Sequence, residues 1–301
     1  MTNPPYQLFE CLKTLTSHLD TVNGVALSPD GQTLVSGSDD ETIRVWNLRT
    51  GEEINTLRGH SKEVSCIALS PDGQTLASGS NDQKIKVWDL HTAQEIRTLQ
   101  GHTSPVTSAI FSPNGQTLVS GTEQETIKLW DLQIGQAIRT LKGTSSMIWP
   151  LALSSDGQIL VSGTDDETVN LWDLQTGQII RTLNLYPHGS QCLIFSPDGQ
   201  TLISGSWDAT VNLWNLQTGQ KILSLIGHTD RVATIALTPD GQTLVSGSWD
   251  ETIKVWNLQT GQAICTLSGH ESSITSVALS SDGQILVSGS WDETIRVWGV
   301  P

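Results

Sequence analysis

EINTLRGHSKEVSCIALSPDGQTLASGSNDQKIKVWDLHTAQ, residues 53–94, decides the fold. EINTLRGH is a short extended run ending in a Gly-His turn, and VSCIALS is a second run rich in β-branched residues. PDGQ follows as a turn, with Pro setting φ and Gly free to take φ > 0. TLASGS reads as a third strand, NDQK as a tight turn, KIKVWDL as a fourth strand and HTAQ as the exit turn. Four runs of roughly five to seven residues with polar punctuation make an antiparallel meander, and nothing in the unit reads as a helix.

The unit recurs. Trp46, Trp88, Trp130, Trp172, Trp214, Trp256 and Trp298 stand 42 residues apart, without insertion or deletion. Such a period marks stacked supersecondary units. Seven copies occupy 294 of the 301 residues, so 1–301 is expected to be one repeat domain. Both faces of each strand are largely apolar or small; in Ile43, Val45 and Trp46 the alternation is incomplete. A sheet with two dry faces needs cover on both sides, which radial packing against identical neighbours supplies. The expectation is an all-β, seven-bladed propeller of four-stranded antiparallel blades. Its frame is offset from the blades: CLKTLTSH (11–18) matches EINTLRGH and AICTLSGH (263–270), while the chain ends in IRVWGVP with no outer strand after Trp298. The segment 8–16 is therefore expected to complete the blade formed by 271–299, pairing edges that would otherwise stay open.

Composition narrows the function. The formal charge is −15, and Gly (27) far outnumbers Tyr (2) and Phe (3). An acidic surface repels phosphate backbones and anionic lipid, so neither nucleic acid nor membrane is an expected partner, and a cationic one is favoured. Cys66 and Cys192 hold the same repeat position three copies apart, and no Cys-x-x-Cys joins them to Cys11 or Cys265. A reducing cytosol fits that pattern. MTNPPYQLFE has no basic n-region or apolar h-region, and no run approaches the ~18 apolar residues of a membrane span. Histidines one repeat apart give no zinc spacing, and one carboxylate per Pro-Asp-Gly-Gln turn caps that turn rather than a calcium ion. No phosphate loop or dinucleotide fingerprint appears, so no metal or cofactor is expected.

Gly-His, Ser-Pro-Asp-Gly, Ser-Gly-Ser-x-Asp and Trp-Asp at fixed offsets resemble the WD40 repeat over residues 8–299. Trp-Asp itself stands at 88–89, 130–131 and 172–173, with Trp-Asn or Trp-Gly in the other copies. The ungapped copies are similar to bacterial, cyanobacterial-like arrays. The resemblance implies a hydrogen-bonded tetrad in each blade. Complete sets are His18, Ser36, Asp40 and Trp46; His60, Ser78, Asp82 and Trp88; His228, Ser246, Asp250 and Trp256; and His270, Ser288, Asp292 and Trp298. Ser, His and Asp recur around the ring with an indole on the serine, which argues against a hydrolytic triad. The family also implies a non-enzymatic scaffold, monomeric and cytoplasmic, that docks an unknown protein or peptide on one rim.

Function is sought where copies differ. Copy three has Gln124 in the Asp place, copy four has Thr144 in the His place, and copy five has Tyr186 there with His188 two residues on. Drift and a relaxed arc that serves a partner both account for this. The residue two before the Trp is basic in five copies but Asn170 and Asn212 in copies four and five. MIWPLALS places Met147 and Trp149 on one side of an inner-strand start. Around the expected rim, the position before the tetrad Asp reads Asp39, Asn81, Glu123, Asp165, Trp207, Trp249 and Trp291, with Arg231 the strong cation at an inner-strand start. Trp149 is expected to extend the aromatic arc. Trp and Arg dominate binding hot spots, so these residues are the candidate partner surface; the opposing reading has each indole simply lying over its neighbouring blade. The alternative function is a ligand- or ion-binding, even enzymatic, propeller using Asp39, Glu123, Asp165 and Arg231 at the axial channel mouth. A further reading has the acidic arc holding a cationic tail.

Overall fold

Val, Ile, Leu and Thr runs broken by Pro-Asp-Gly turns fold as strands throughout the computed structural model, which describes residues 6–124, 126–142, 148–164, 168–184 and 189–301. Met147, Asp165, Thr144, Tyr186 and His188 lie outside the described residues.

Seven four-stranded antiparallel sheets form the seven blades of a β-propeller. Blade one runs Val22–Leu27, Thr33–Ser38, Thr42–Asn47 and Glu53–Arg58 from the inner to the outer strand, and the later blades follow in chain order. In blade seven, Ile274–Leu279, Leu286–Ser290 and Ile295–Gly299 are closed by Glu10–Leu15, with Cys11 opposite Trp298 and Leu15 opposite Ile295. The chain thus locks its own ring. The closing strand is shorter than 8–16, because Tyr6–Leu8 forms a single 3-10 turn instead.

That turn has a structural job. In blade one, Leu48 follows the Trp46 strand and is buried with Val287 and Val297 across the seam. One repeat back around the ring, Tyr6 is buried in the same way with Val245 and Val255. Tyr6 therefore fills the slot that the turn residue Leu48 fills in blade one. Burial, with Asp240 and Asp282 adding repulsion, pushes its phenol up to about 12. Its hydroxyl has no partner among the described residues.

Among the described residues, seven apolar clusters bridge adjacent blades, and each buries one of the repeating tryptophans. The approach is close. A Cβ on Gly79 would lie 2.6 Å from both Cys66 Sγ and Val106 Cγ1 of the neighbouring inner strand. Glycine at that place lets one blade's second strand accept the next blade's inner valine.

Candidate functional site

Four tetrads are built alike. Trp46 Nε1 donates to Ser36 Oγ at 2.9 Å, Ser36 Oγ lies 2.7 Å from His18 Nε2, and His18 Nδ1 lies 2.8 Å from Asp40 Oδ2. The sets at His60, His228 and His270 repeat this with distances between 2.7 and 2.9 Å. Indole N–H only donates, so the serine oxygen accepts from it and its O–H is free to donate a hydrogen bond to Nε2, leaving Nδ1–H to donate to the carboxylate. Burial alone would raise the Asp40 carboxyl; the bonds from His18 and Thr42 outweigh it and hold it well below the usual range. Asp250 and Asp292 behave likewise. With its serine already engaged by an indole, the set holds strands together.

Copy three lacks its acid. His102 Nε2 keeps Ser120 at 2.7 Å, but Nδ1 is buried without a partner among the described residues, as is Ser104 Oγ. Burial, then Lys128, pushes the His102 pKa down to about 4. In copies four and five, Trp172 and Trp214 still donate to Ser162 and Ser204 at 2.9 Å.

The change from basic residue to Asn170 and Asn212 is smaller than the sequence suggests. Lys86, Lys128 and Lys254 reach an outer-strand threonine hydroxyl at 2.9–3.0 Å. Asn170 and Asn212 accept from Thr182 and Ser224 at 2.6 Å across the same strand pair. The bridge survives with donor and acceptor reversed.

A bulge in every inner strand, such as Val22/Gly24, frees one residue from the ladder and re-aims it. Asn23 Nδ2 uses this freedom to donate to Val64 O at 3.0 Å and Thr107 Oγ1 to donate to Ile148 O at 2.5 Å. Ser65 and Thr275 donate to Val106 O and Val22 O in the same manner. These seams run from blade seven through blade four. The next three bulge positions hold Trp149, Gln191 and Ala233. Trp149 is 44% exposed and has no ring contact among the described residues. The bulge places it where the polar seam stops.

The rim residues divide into two groups. On blades one to three, Asn23 Nδ2 donates to Asp39 Oδ1 at 2.7 Å, and Asn81 Nδ2 to Glu63 Oε2 at 3.3 Å. Burial first, then repulsion from Asp20, Glu63 and Asp40, raises the Asp39 carboxyl against the Asn23 bond. Glu123 extends this acidic arc, its N–H bound to Pro105 O. On blades five to seven, the Arg231 guanidinium carbon lies 3.7 Å from the Trp207 ring centroid and 3.5 Å from that of Trp249. Trp249 in turn meets Trp291, with centroids 4.4 Å apart at 58°. Gly189, at φ 57, passes beneath the Trp207 ring. Each indole does lean on a neighbour, yet Trp207 remains 46% and Trp291 44% exposed.

Asp39 and Glu123 stand on blades one and three, and Arg231 on blade six. Among the described residues no group of three or more His, Cys, Asp or Glu is placed to hold a metal ion. Open clefts of about 300, 480 and 640 Å³ lie between blades among the Pro-Asp-Gly-type turns, at the far ends of the strands, and contain no rim residue. No helix among the described residues is long and apolar enough to cross a membrane.

The WD domain, G-beta repeat family matches residues 9–47, 219–257 and 261–299. The family of the IFT122 first beta-propeller matches residues 42–218. The chain belongs to the WD40-repeat propellers. Three curated relatives match over stretches of 38–54 residues. "Protein Mut11" of Chlamydomonas reinhardtii is 41% identical over 18% of this chain and 15% of its own length. "Lissencephaly-1 homolog 1" of Paramecium tetraurelia is 58% identical over 13% of this chain and 9% of its own. An uncharacterized WD repeat-containing protein of Synechocystis is 52% identical over 14% of this chain and 13% of its own. The match thus spans less than a fifth of each of these relatives. WD40 propellers generally bind proteins or peptides, and the family is generally non-enzymatic.

Proposed function

We propose that this chain is a non-enzymatic protein-interaction scaffold whose docking surface is the rim of blades five to seven. The observation that carries the reading is the run Trp207, Arg231, Trp249, Trp291. It sets large, rigid aromatic area at the surface, with two indoles about half exposed. Exposed tryptophan beside arginine is the composition of an interaction hot spot. The acidic arc, its carboxylates partly engaged by Asn23 and Asn81, borders the surface and sets the sign of what can sit beside it. Asp165 and Met147 are proposed to complete the rim between the two arcs, and Trp149 to offer a separate aromatic contact.

A monomeric protein in a reducing cytosol is the setting we propose. The four cysteines stay unpaired, and burial pushes the Cys66 and Cys192 thiols up to about 12, so they are poor nucleophiles. The test is affinity capture from source-cell extract with wild type and with the triple change Trp207→Ala, Trp249→Ala and Trp291→Ala. Proteins retained by wild type and lost with a folded triple variant support the rim. An identical retained set contradicts it.

A further inference from the structure

We propose that Arg231 is a receptor for a carboxylate: it anchors an acidic side chain, flanked by apolar residues, from a peptide segment of a protein partner. The inference rests on the scaffold reading above and adds the chemistry of the partner.

Both faces of the Arg231 guanidinium are covered, by Trp207 at 3.7 Å and by Trp249 at 3.5 Å. A planar ion clamped in this way exposes only its edge, and the edge carries the N–H donors. Those donors lack an acid. Asp230 Oδ1 lies 4.0 Å from Nε, beyond hydrogen-bond reach, and already accepts the Arg231 backbone N–H at 2.7 Å. No other side chain or carbonyl among the described residues accepts from this guanidinium. The contrast lies within the same molecule: Arg44 holds Glu53 at 2.5 Å and Lys86 holds Glu95 at 2.6 Å. In a chain of net charge −15, with carboxylates in surplus, a cation is stacked in place with no acid in hydrogen-bond reach of its guanidinium among the described residues.

The stack also fixes the geometry of the guest. A carboxylate meeting a rigid guanidinium edge makes two parallel charge-assisted bonds, and the ordering cost has already been met by the indoles. The residues on either side of the acid fall on Trp207 and Trp291, whose exposed faces suit apolar side chains. Asp39, Glu63 and Glu123 repel the segment from the other half of the rim and so orient it. A phosphate fits less well, since a dianion would find a single cation with Asp230 beside it.

The test uses isotope-labelled full-length chain and nuclear magnetic resonance. Three acetylated, amidated peptides of one Gly/Ser frame carry Phe-Glu-Leu, Phe-Gln-Leu or Phe-phosphoserine-Leu. The Glu peptide is expected to shift the Arg231 Nε–H signal together with the Trp207 and Trp291 indole signals. It should bind about tenfold tighter than its Gln twin, the usual worth of a charge-assisted pair. R231Q should erase that preference, and R231K should keep only part of it, because an ammonium lacks the fork. Unchanged tetrad indole signals certify that each variant is folded. Equal binding of the Glu and Gln peptides, tighter binding of the phosphoserine peptide, or no shift at millimolar peptide overturns the inference. Peptides that bind without acid preference and are lost in W207A/W291A leave the scaffold rim standing while the carboxylate site falls. Shifts confined to residues away from blades five to seven remove both.

Discussion

Blades one to three and blades five to seven place the same tight turn at the same rim, but they finish it with opposite chemistry. On the first arc the polar groups are answered from within: Asn23 bonds Asp39, Asn81 bonds Glu63, and bulge residues 23, 65 and 107 stitch each inner strand to the next. In blades five and six the stitching residues give way to Gln191 and Ala233, while Thr275 of blade seven still bonds Val22 O, and the rim of blades five to seven is an aromatic stack around an arginine with no acid in hydrogen-bond reach among the described residues. A repeat protein duplicates its fold in every copy, so a site shows up as a place where the copies stop satisfying themselves. The difference between the arcs separates groups that hold the ring from groups left for something else.

The largest expected effect tests what holds the second arc in place. Deleting residues 1–17 removes the closing strand of Trp291's own blade and the buried Tyr6, Phe9 and Leu15. At roughly 1.5–3 kcal/mol per buried side chain, the loss is about 5–9 kcal/mol, and the thermal midpoint should fall by about 8 °C or more. An unchanged midpoint would mean that the arc does not depend on closure.

Next come the tetrads. Asp82→Ala strips a partner from buried His60 and should cost about 1–3 kcal/mol in denaturant unfolding. Gln124→Asp should recover a similar amount by meeting the bare Nδ1 of His102. If both changes were silent, complete and incomplete copies would not differ in energy, and the broken tetrads would carry no meaning for the arcs.

The pH dependence sharpens the same point. The His102 pKa falls from 6.5 to about 4 on folding, so the unfolded chain binds the proton more readily. Stability is fully present above the unfolded value and is lost as pH drops from about 6.5 toward 4. The acids of the intact tetrads, held below 3.8, give up their contribution only in more acid solution. Urea unfolding at neutral pH and at about pH 5 should show the loss in wild type and less of it in Gln124→Asp. A pH-independent midpoint across that window would refute the assignment.

The smallest effect concerns the turn both arcs share. Ala209 sits at φ 67 beside Trp207, where a Cβ is disfavoured. Ala209→Gly should stabilise by no more than about 1 kcal/mol in chemical unfolding, since strain relief is offset by a freer unfolded chain. A clear loss of stability would indicate that the side chain supports the indole.

Much of this architecture can be read from the letters. The fixed spacing of Trp46 to Trp298 implies the ring, and the offset between CLKTLTSH and IRVWGVP implies its closure. The tetrads follow from the resemblance of the repeat to the WD40 pattern, and the donors and acceptors of Trp, Ser, His and Asp suit the pairing it implies. Other features depend on contacts across the ring that no local pattern carries. Tyr6 takes a leucine's slot, legible only by laying residue 6 against residue 48 in the repeat register. Asn170 and Asn212 look like a change of function but preserve a strand bridge, because an amide can accept where an ammonium donates. Trp149 shares the chemistry of the rim indoles but rides on an inner-strand bulge rather than on the tight turn that carries them. Arg231 stands out as a lone cation in sequence, whereas its clamp comes from two tryptophans in two blades.

The central claim is that the aromatic arc is surface rather than scaffold. The unfolding free energy of the folded triple variant Trp207→Ala, Trp249→Ala, Trp291→Ala tests it most directly. A cooperative transition weakened by about 1–3 kcal/mol, the worth of the lost stacking, is the predicted result. A variant that no longer unfolds cooperatively, or does not fold, would make the indoles part of the core and contradict the account.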